Sequence, residues 1–300
     1  SIVRVEKGTI NRGVYLLAVL DNPAKDPPSV WKPSPAWNKK LVIYFDGGGN
    51  AHYNQGVLNF QANALGVGLS RGFGFVLSTE LYNDQHANPH LQGETLMMLK
   101  EHVIKTFGEV PKWTVGTGGS GGAIQQYLIP QVFPGLLDGI QPSRSGLESM
   151  NSEIQDCKLL EKRFASYEWL TNPEKVRAFE GFNAGVCFGW SYYNSFQADL
   201  SSNCDFKDQI NAAKVFNRTT NPSGVRCDIY QTNVTLLGKT PGTQEALRLF
   251  DNGGVQYGLA GLNNSTITVD AFLDLNEQIG GMDGDGNWQR DGSVAPTNAI

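Results

Sequence analysis

The sequence predicts an α/β fold with a doubly wound, mostly parallel sheet, and three observations carry that expectation. Leu41-Val-Ile-Tyr-Phe45 and Phe73-Gly-Phe-Val-Leu-Ser-Thr79 are continuous runs of strand length, the pattern of parallel strands buried on both faces. Between strands, Glu94 to Phe107 repeats apolar residues at helical spacing. Trp113 to Val115 is a β-prone run that enters a glycine cluster, and a helix-capable run leaves that cluster towards Tyr127.

Taken in order, Ile2 to Val5 and Val14 to Leu20 read as two strands joined through Gly8 and Gly13. Asp21 to Lys39, with its prolines, lysines and two tryptophans, reads as a surface connection. The strand Leu41 to Phe45 ends in Asp46-Gly-Gly-Gly49-Asn50. Ala51 to Gly72 is a long connection with helical content, and Asn83 to Gln92 is a polar loop carrying His86 and His90. The helix Glu94 to Phe107 presents Leu96, Met97, Leu99, Val103, Ile104 and Phe107 as one stripe, and Gly108 ends it. His102 on that helix reads as structural or solvated. After the glycine cluster, Pro130 and Pro134 break the chain, and Leu136 to Ile140 reads as a strand ending at Gln141-Pro-Ser-Arg-Ser145. From Leu147 the texture changes: 153–183 look helical, and 184–260 carry the cysteines, many turns and little periodicity. Thr268 caps a helix from Val269 to Ile279, stopped by Gly280-Gly281, and no internal repeat is visible.

Composition narrows the function classes. At 40% hydrophobic and 18% charged residues this is an ordinary globular chain of 300 residues, ample for a sizeable core. A net charge of −5 without a basic run argues against a nucleic-acid partner. No apolar stretch reaches the roughly 18 residues of a membrane span, since Val14 to Leu20 is of strand length. Ser1 runs directly into strand-like Ile-Val-Arg-Val, so the chain reads as a mature or processed segment. Cys157, Cys187, Cys204 and Cys227 lack C-x-x-C spacing, which removes a zinc site; two disulfides and a secreted or periplasmic location are expected, with four buried thiols as the alternative. Cys157–Cys187 with Cys204–Cys227 is one pairing, which the sequence does not fix. N-x-S/T triplets at Asn217, Asn233, Asn263 and Asn264 are compatible with secretion. Asp283-Gly-Asp285-Gly-Asn287 resembles the start of a calcium loop, but Trp288 and Val294 stand where glycine and glutamate belong, so a polar turn is expected and no metal or cofactor is assigned.

The chemistry concentrates in Gly118-Gly119-Ser120-Gly121-Gly122, a match to G-x-S-x-G between strand and helix. A serine nucleophile on such an elbow is held in strained backbone geometry with its hydroxyl projecting, and residues without a Cβ fit two positions either side. The alternative is a glycine-rich turn in a chain with 35 glycines. Asp46-Gly-Gly-Gly49 follows a buried strand roughly 70 residues earlier, where α/β-hydrolases place an oxyanion loop; here Asp46 stands in place of the histidine of H-G-G-G. The expected site is Ser120 as nucleophile, Gly48, Gly49 and Gly121 around the oxyanion, and Asn50, His52 and His86 as substrate contacts. The core of α/β-hydrolase type then occupies 1–146, a large, mainly helical cap over the catalytic face 147–290, and a tail leading back to the core 291–300.

A serine hydroxyl needs an adjacent base, normally a histidine held by a carboxylate. In α/β-hydrolases the order is Ser, Asp/Glu, His, yet His52, His86, His90 and His102 all precede Ser120. The preferred explanation is that acid and histidine, with the C-terminal strands, come from a segment or second chain beyond residue 300, because only about six strands can be counted. Recruitment of His52, His86 or His90 is the second explanation, and loss of hydrolase activity the third.

Gly8-Thr-Ile-Asn-Arg12, the Asp46–Gly49 loop, Gly118–Gly122, Pro134-Gly-Leu-Leu-Asp-Gly-Ile140, Asn252-Gly-Gly-Val-Gln-Tyr-Gly-Leu-Ala260 and Asp274-Leu-Asn-Glu-Gln-Ile-Gly-Gly281 together resemble a family of secreted bacterial α/β-hydrolases of largely unknown function. That family is more distantly similar to tannases, feruloyl esterases and hydroxybutyrate-oligomer hydrolases. The resemblance spans essentially the whole chain and implies Ser120 as nucleophile, the Gly47–Gly49 loop as oxyanion contributor, and a triad aspartate and histidine beyond residue 300. It implies a fragment or processed subunit that needs a C-terminal polypeptide or second subunit as partner. The resulting expectation is an esterase-like serine hydrolase. An amidase or oligomer hydrolase on a polymeric substrate is the alternative enzyme, and a non-catalytic binding protein with a degenerate hydrolase fold the alternative of another class.

Overall fold

The computed structural model describes residues 2–145 apart from 23, 26, 33–34, 50–51, 53 and 59–61; beyond them it describes 154–164, 173–181, 187, 211–217, 219–227, 234–244, 246–247, 252–282 and 288–290. The chain divides into two compact units, Ser1–Gly146 with Cys204–Asn211, and Leu147–Asn203 with Ala212–Ile300.

The first unit is a six-stranded sheet with helices on both faces. Its elements are β1 (Ile2–Ile10), β2 (Gly13–Asp21), β3 (Lys40–Asp46), α1 (Ala62–Ser70), β4 (Gly74–Tyr82), α2 (Pro89–Phe107), β5 (Trp113–Gly119), α3 (Gly121–Val132) and β6 (Gly139–Ser143). The strand order is β1-β2-β4-β3-β5-β6. The pairs β4–β3, β3–β5 and β5–β6 are parallel, whereas β1–β2 and β2–β4 are antiparallel. All nine residues of β4 are buried, as its apolar run requires. Alternate side chains divide between two cores. Leu17, Val19, Leu41, Ile43, Phe45 and Val76 pack with Leu96, Leu99, Val103, Phe107 and Ile129 of α2 and α3. Leu16, Ala18, Phe75 and Leu77 pack with Leu69 of α1.

Three local expectations are corrected. The β1–β2 hairpin turns at Asn11 and Arg12, both at positive φ (49° and 70°) as a two-residue type I′ turn demands, while Gly8 and Gly13 lie in the strands. Helix α2 begins at Pro89, well before Glu94. Asn88 caps it by accepting from the N–H groups of His90 and Leu91, and Pro89 supplies a first-turn residue with no N–H to satisfy. Strand β6 starts at Gly139 rather than Leu136. Leu137 is buried in the core ahead of it, and Asp138 is pinned to Thr114 at the start of β5 by both its N–H and its carboxylate.

The second unit has its own core. Helices α4 (Ile154–Phe164), α5 (Pro173–Glu180), α6 (Val234–Leu237), α7 (Leu259–Asn263) and α8 (Val269–Gln278) are followed by a two-stranded ribbon, Gly281–Met282 and Trp288–Gln289. Leu159, Leu160, Phe179, Tyr257, Ile267, Leu275 and Ile279 are buried together with the Cys157–Cys187 disulfide. Cys227 is also disulfide-bonded, and Cys204 lies outside the described residues. Thr268 caps α8 through Ala271 N–H, as its sequence predicts. Residues 283–287, where a polar turn is expected, lie outside the described residues.

Candidate active site

The site is organised by the junction of β5 and α3. Ser120 adopts φ 58°, ψ −124°, a conformation L-residues rarely take, and its exposed side chain makes no cap bond to the helix. Its N–H donates to Ser143 of β6, and its carbonyl accepts from Ala123 and Ile124, so the strained residue is held on both sides. The flanking glycines are sterically required. A Cβ at Gly118 would lie 2.0 Å from the Phe45 carbonyl oxygen, and one at Gly122 2.3 Å from the same atom. The elbow therefore presses directly on the backbone of β3.

Two buried glutamines clamp this approach. Gln125 donates to the carbonyls of Asp46 and Leu81, tying α3 to the ends of β3 and β4. Gln126 donates to the carbonyls of Gly118 and Gly122 and accepts from Gln141 N–H, tying α3 to the elbow and to β6. Neither residue follows from the apolar pattern of the helix. The available signal is two consecutive amides on a helix that the sequence otherwise marks as core-facing.

The glycine loop after β3 sits beside the serine. A Cβ on Gly47 would be 3.7 Å from Ser120 Oγ, and one on Gly121 would be 2.0 Å from the Gly48 carbonyl oxygen. Residues 83 and 84 hold the loop by its carbonyls: Asn83 N–H donates to Asp46, Asp84 N–H to Gly47, and Asn83 Nδ2 to Gly48 at 2.8 Å. Gly47 N–H is taken by the Asp46 carboxylate. Gly48 lies at φ +83° against Asp84, where a Cβ would fall 2.2 Å from the aspartate Cβ. Asn83, in turn, accepts from Gln92 of α2. Asn83 was missed in the sequence because nothing in a polar loop distinguishes the one amide that turns inward.

The structure thus brings together Ser120, Gly121, Gly47 and Gly48, with Gly49 buried next in the loop. Asn50 lies outside the described residues. His52 is tied through its N–H to the Gln85 carbonyl. His86 is buried beside the equally buried Glu80, with Nε2 3.2 Å from Oε1. The exposed His90 packs edge-on against Phe133. His102 meets Glu6 and Tyr15 across the helix–sheet boundary. Burial raises the Glu6 carboxyl, but the bonds from Tyr15 and His102 outweigh it and hold that pKa below the ordinary value. Burial and the Glu6 carboxylate push the Tyr15 hydroxyl strongly upward, so it stays a donor.

A mostly parallel sheet in this order, with a serine on a glycine-flanked strand-to-helix elbow, defines an α/β-hydrolase-type fold. The chain belongs to the tannase-like family of unknown function (DUF6351), whose model matches residues 1–300. No curated protein matches it in sequence. Among solved structures it is similar to a post-proline cleaving enzyme from Rickettsia typhi, with 13% identity and a TM-score of 0.35 over 50% of this chain and 22% of that one. It is also similar to brefeldin A esterase, described as a bacterial homologue of human hormone sensitive lipase, with 14% identity and a TM-score of 0.33 over 65% of this chain and 51% of that one. A third is an acetyl xylan esterase from Paenibacillus sp. R4, with 10% identity and a TM-score of 0.25 over 67% of this chain and 71% of that one. The chain thus spans about a fifth of the Rickettsia enzyme and about half of brefeldin A esterase. Among the described residues no helix is long and apolar enough to cross a membrane.

Proposed function

We propose that the protein is a serine hydrolase that cleaves an ester or related acyl bond through an acyl-enzyme on Ser120. The observation that carries this reading is the exposed Ser120 held at φ 58°, ψ −124° at the N-terminus of α3, beside the Gly47–Gly48 loop. Ser120 Oγ attacks the substrate carbonyl while a base takes its proton, the leaving group departs with a proton, and water then releases the acyl group by the same route. Gly121 is the first residue of α3, so its N–H has no intrahelical acceptor and faces developing negative charge at a helix N-terminus.

The second oxyanion donor is assigned to Gly48 rather than Gly49. The C=O and N–H of a trans peptide point in opposite directions. The Gly48 carbonyl is turned towards Asn83 and Gly121, which directs Gly49 N–H away from the first turn of α3. Exposure of Gly48 and burial of Gly49 support the same choice. Losing one such donor typically costs about 3 kcal/mol of transition-state stabilisation.

The base and acid come, in this reading, from a further segment or second chain that completes the sheet. His86 is buried beside Glu80 and the ring of His90 packs on Phe133, which favours an outside histidine over recruitment of either; His52 is the remaining upstream candidate. Such a partner would add at the β6 edge of the sheet. Among the described residues β6 pairs with β5 alone, and Ile140 on it is 39% exposed. Beside it a groove of about 530 Å³ exposes Val42, Val67, Trp113 and Val115. The Cys157–Cys187 disulfide supports a secreted or periplasmic location, and the second unit is read as the cap.

The test is labelling of the full-length protein with a fluorophosphonate probe. Modification of Ser120, absent in Ser120→Ala with its unfolding transition preserved, is the expected result. An unlabelled Ser120 in protein that contains its histidine-bearing partner would identify a binding protein instead. Short acyl esters tested against oligoamides then separate esterase from amidase.

A further inference from the structure

Asn83 and Gln92 are buried amides, 5% and 1% exposed, that stand behind the glycine loop beside Ser120. Asn83 opens the turn after β4, and Gln92 is the fourth residue of α2. Gln92 Nε2 donates to the His86 carbonyl and, at 3.2 Å, to Asn83 Oδ1; Asn83 Nδ2 donates on to the Gly48 carbonyl at 2.8 Å. A relay thus runs from α2 through one side chain to the loop that follows β3. Each of its ends is a backbone carbonyl, which accepts and never donates. The Asn83 amide has no such constraint of its own. Its oxygen and nitrogen are nearly equal in size, so a half-turn of the group fits the same space and sets Oδ1 against the Gly48 carbonyl oxygen.

We propose that Gln92 is a positioning residue for the oxyanion loop, acting through Asn83 by fixing which way that amide faces. The proposal rests on the reading of Ser120 as nucleophile with Gly48 in the oxyanion site. The His86 carbonyl obliges Gln92 to present Nε2, and that donor obliges Asn83 to turn Oδ1 towards it. Asn83 is then left with Nδ2 for Gly48, and the held carbonyl fixes the Gly48–Gly49 peptide.

The surroundings leave little slack. A Cβ on Gly121, the first residue of α3, would lie 2.0 Å from the Gly48 carbonyl oxygen and 2.8 Å from Asn83 Cβ. A Cβ on Gly93, the neighbour of Gln92, would lie 2.1 Å from the ring of Phe133, which caps the far end of α3. Gln92 therefore takes its place from the same helix that begins at Ser120. A buried amide that only filled space would yield to an apolar residue of its length with no change in rate; one that orients Asn83 would not.

Fluorophosphonate labelling of Ser120 in the full-length protein tests this, read as the maximal labelling rate and the probe concentration that gives half of it. Gln92→Met keeps the length and loses the donor. Its maximal rate is expected to fall about tenfold with half-saturation unchanged, less than the roughly 10²–10³ of losing an oxyanion donor outright. Adding Gln92→Met to Asn83→Ala should slow labelling no further, because the group that Gln92 orients is already gone. A wild-type maximal rate in Gln92→Met overturns the proposal. So does a double variant whose loss is the product of the two single losses, since Gln92 would then act on something other than Asn83. In the isotope-labelled wild-type chain, scalar couplings across hydrogen bonds are expected from Asn83 Nδ2 to the Gly48 carbonyl carbon and from Gln92 Nε2 to the Asn83 side-chain carbonyl. Their absence in a protein that labels at Ser120 sinks the relay alone. Their presence in a protein that does not label sinks the hydrolase reading, and the positioning role with it, so the two failures are distinct.

Discussion

Replacing Gly122 by alanine tests whether the elbow at Ser120 is held by direct contact with β3. The added methyl would sit 2.3 Å from the Phe45 carbonyl oxygen and 2.8 Å from its carbon, where ordinary contact begins at 3.4 Å. The obstacle is main chain in the middle of a sheet, so α3 has to retreat from β3 by about 1 Å, and overpacking of that kind costs about 1–3 kcal/mol. The same gap is bridged by Gln125 to the carbonyls of Asp46 and Leu81, and stretching those bonds forfeits about 0.5–1.5 kcal/mol apiece. We expect a loss of about 2–5 kcal/mol, a large share of the roughly 5–15 kcal/mol that holds a domain folded. Gly66→Ala is the matched control of opposite sign. Gly66 lies within α1 with nothing within 4 Å of its Cβ position, so the exchange gains about 1 kcal/mol of helix propensity. Urea unfolding measures both changes, and amide exchange in β3 and α3 assigns them to the first unit. A Gly122→Ala protein within about 0.5 kcal/mol of wild type would refute the contact, and with it the account of why glycine stands on that side of Ser120.

Other outcomes follow from the same contacts. Asn83→Ala frees the Gly48 carbonyl, and kcat is expected to fall about 10–100-fold with KM little changed; unaltered turnover would show that the loop keeps its orientation without that amide. His86→Leu takes away the polar ring that lies 3.2 Å from the buried Glu80 and is expected to lower stability by about 1–3 kcal/mol by chemical unfolding, whereas a neutral effect would show that the ring contributes nothing to holding Glu80. For Glu180, folding raises the pKa from an ordinary 4.5 to about 7, so its stabilising contribution is complete below 4.5 and disappears as pH rises through 7. The unfolding midpoint of the second unit should therefore drop between pH 6 and pH 8, and Glu180→Gln should flatten that slope; an unchanged slope would place the titrating group elsewhere.

Close approach is legible in a sequence where it forbids a side chain. Gly118 and Gly122 are glycine because the Phe45 carbonyl occupies the space of a Cβ, and the same reason places Gly121 against Gly48. The β-sheet interior is legible for a related reason: strands buried on both faces, such as Gly74–Tyr82, leave little room for polar residues. Boundaries fared worse where a polar residue set them. Asn88 and Pro89 start α2 two turns' worth of polar sequence before its apolar stripe becomes regular, and Asp138 delays β6 by bonding to Thr114.

What stayed hidden is the set of amides that face inward. Asn83, Gln125 and Gln126 position the candidate site entirely through backbone carbonyls, and a bond to a backbone carbonyl leaves no trace in the identity of its partner. Histidine was misleading for the complementary reason. His86 stands past the end of a central strand, where a catalytic group is looked for, but the structure turns it under that strand to Glu80. A strand end can send a polar side chain outward to substrate or inward to a buried partner, and here the turn after Tyr82, closed by the N–H groups of Gln85 and His86 on the Tyr82 carbonyl, brings the ring back to Glu80. That distinction bears on the edge at β6: under the proposed reading the added histidine would enter beside this strand, which among the described residues pairs with β5 alone and whose Ser143 carbonyl anchors the N–H of Ser120.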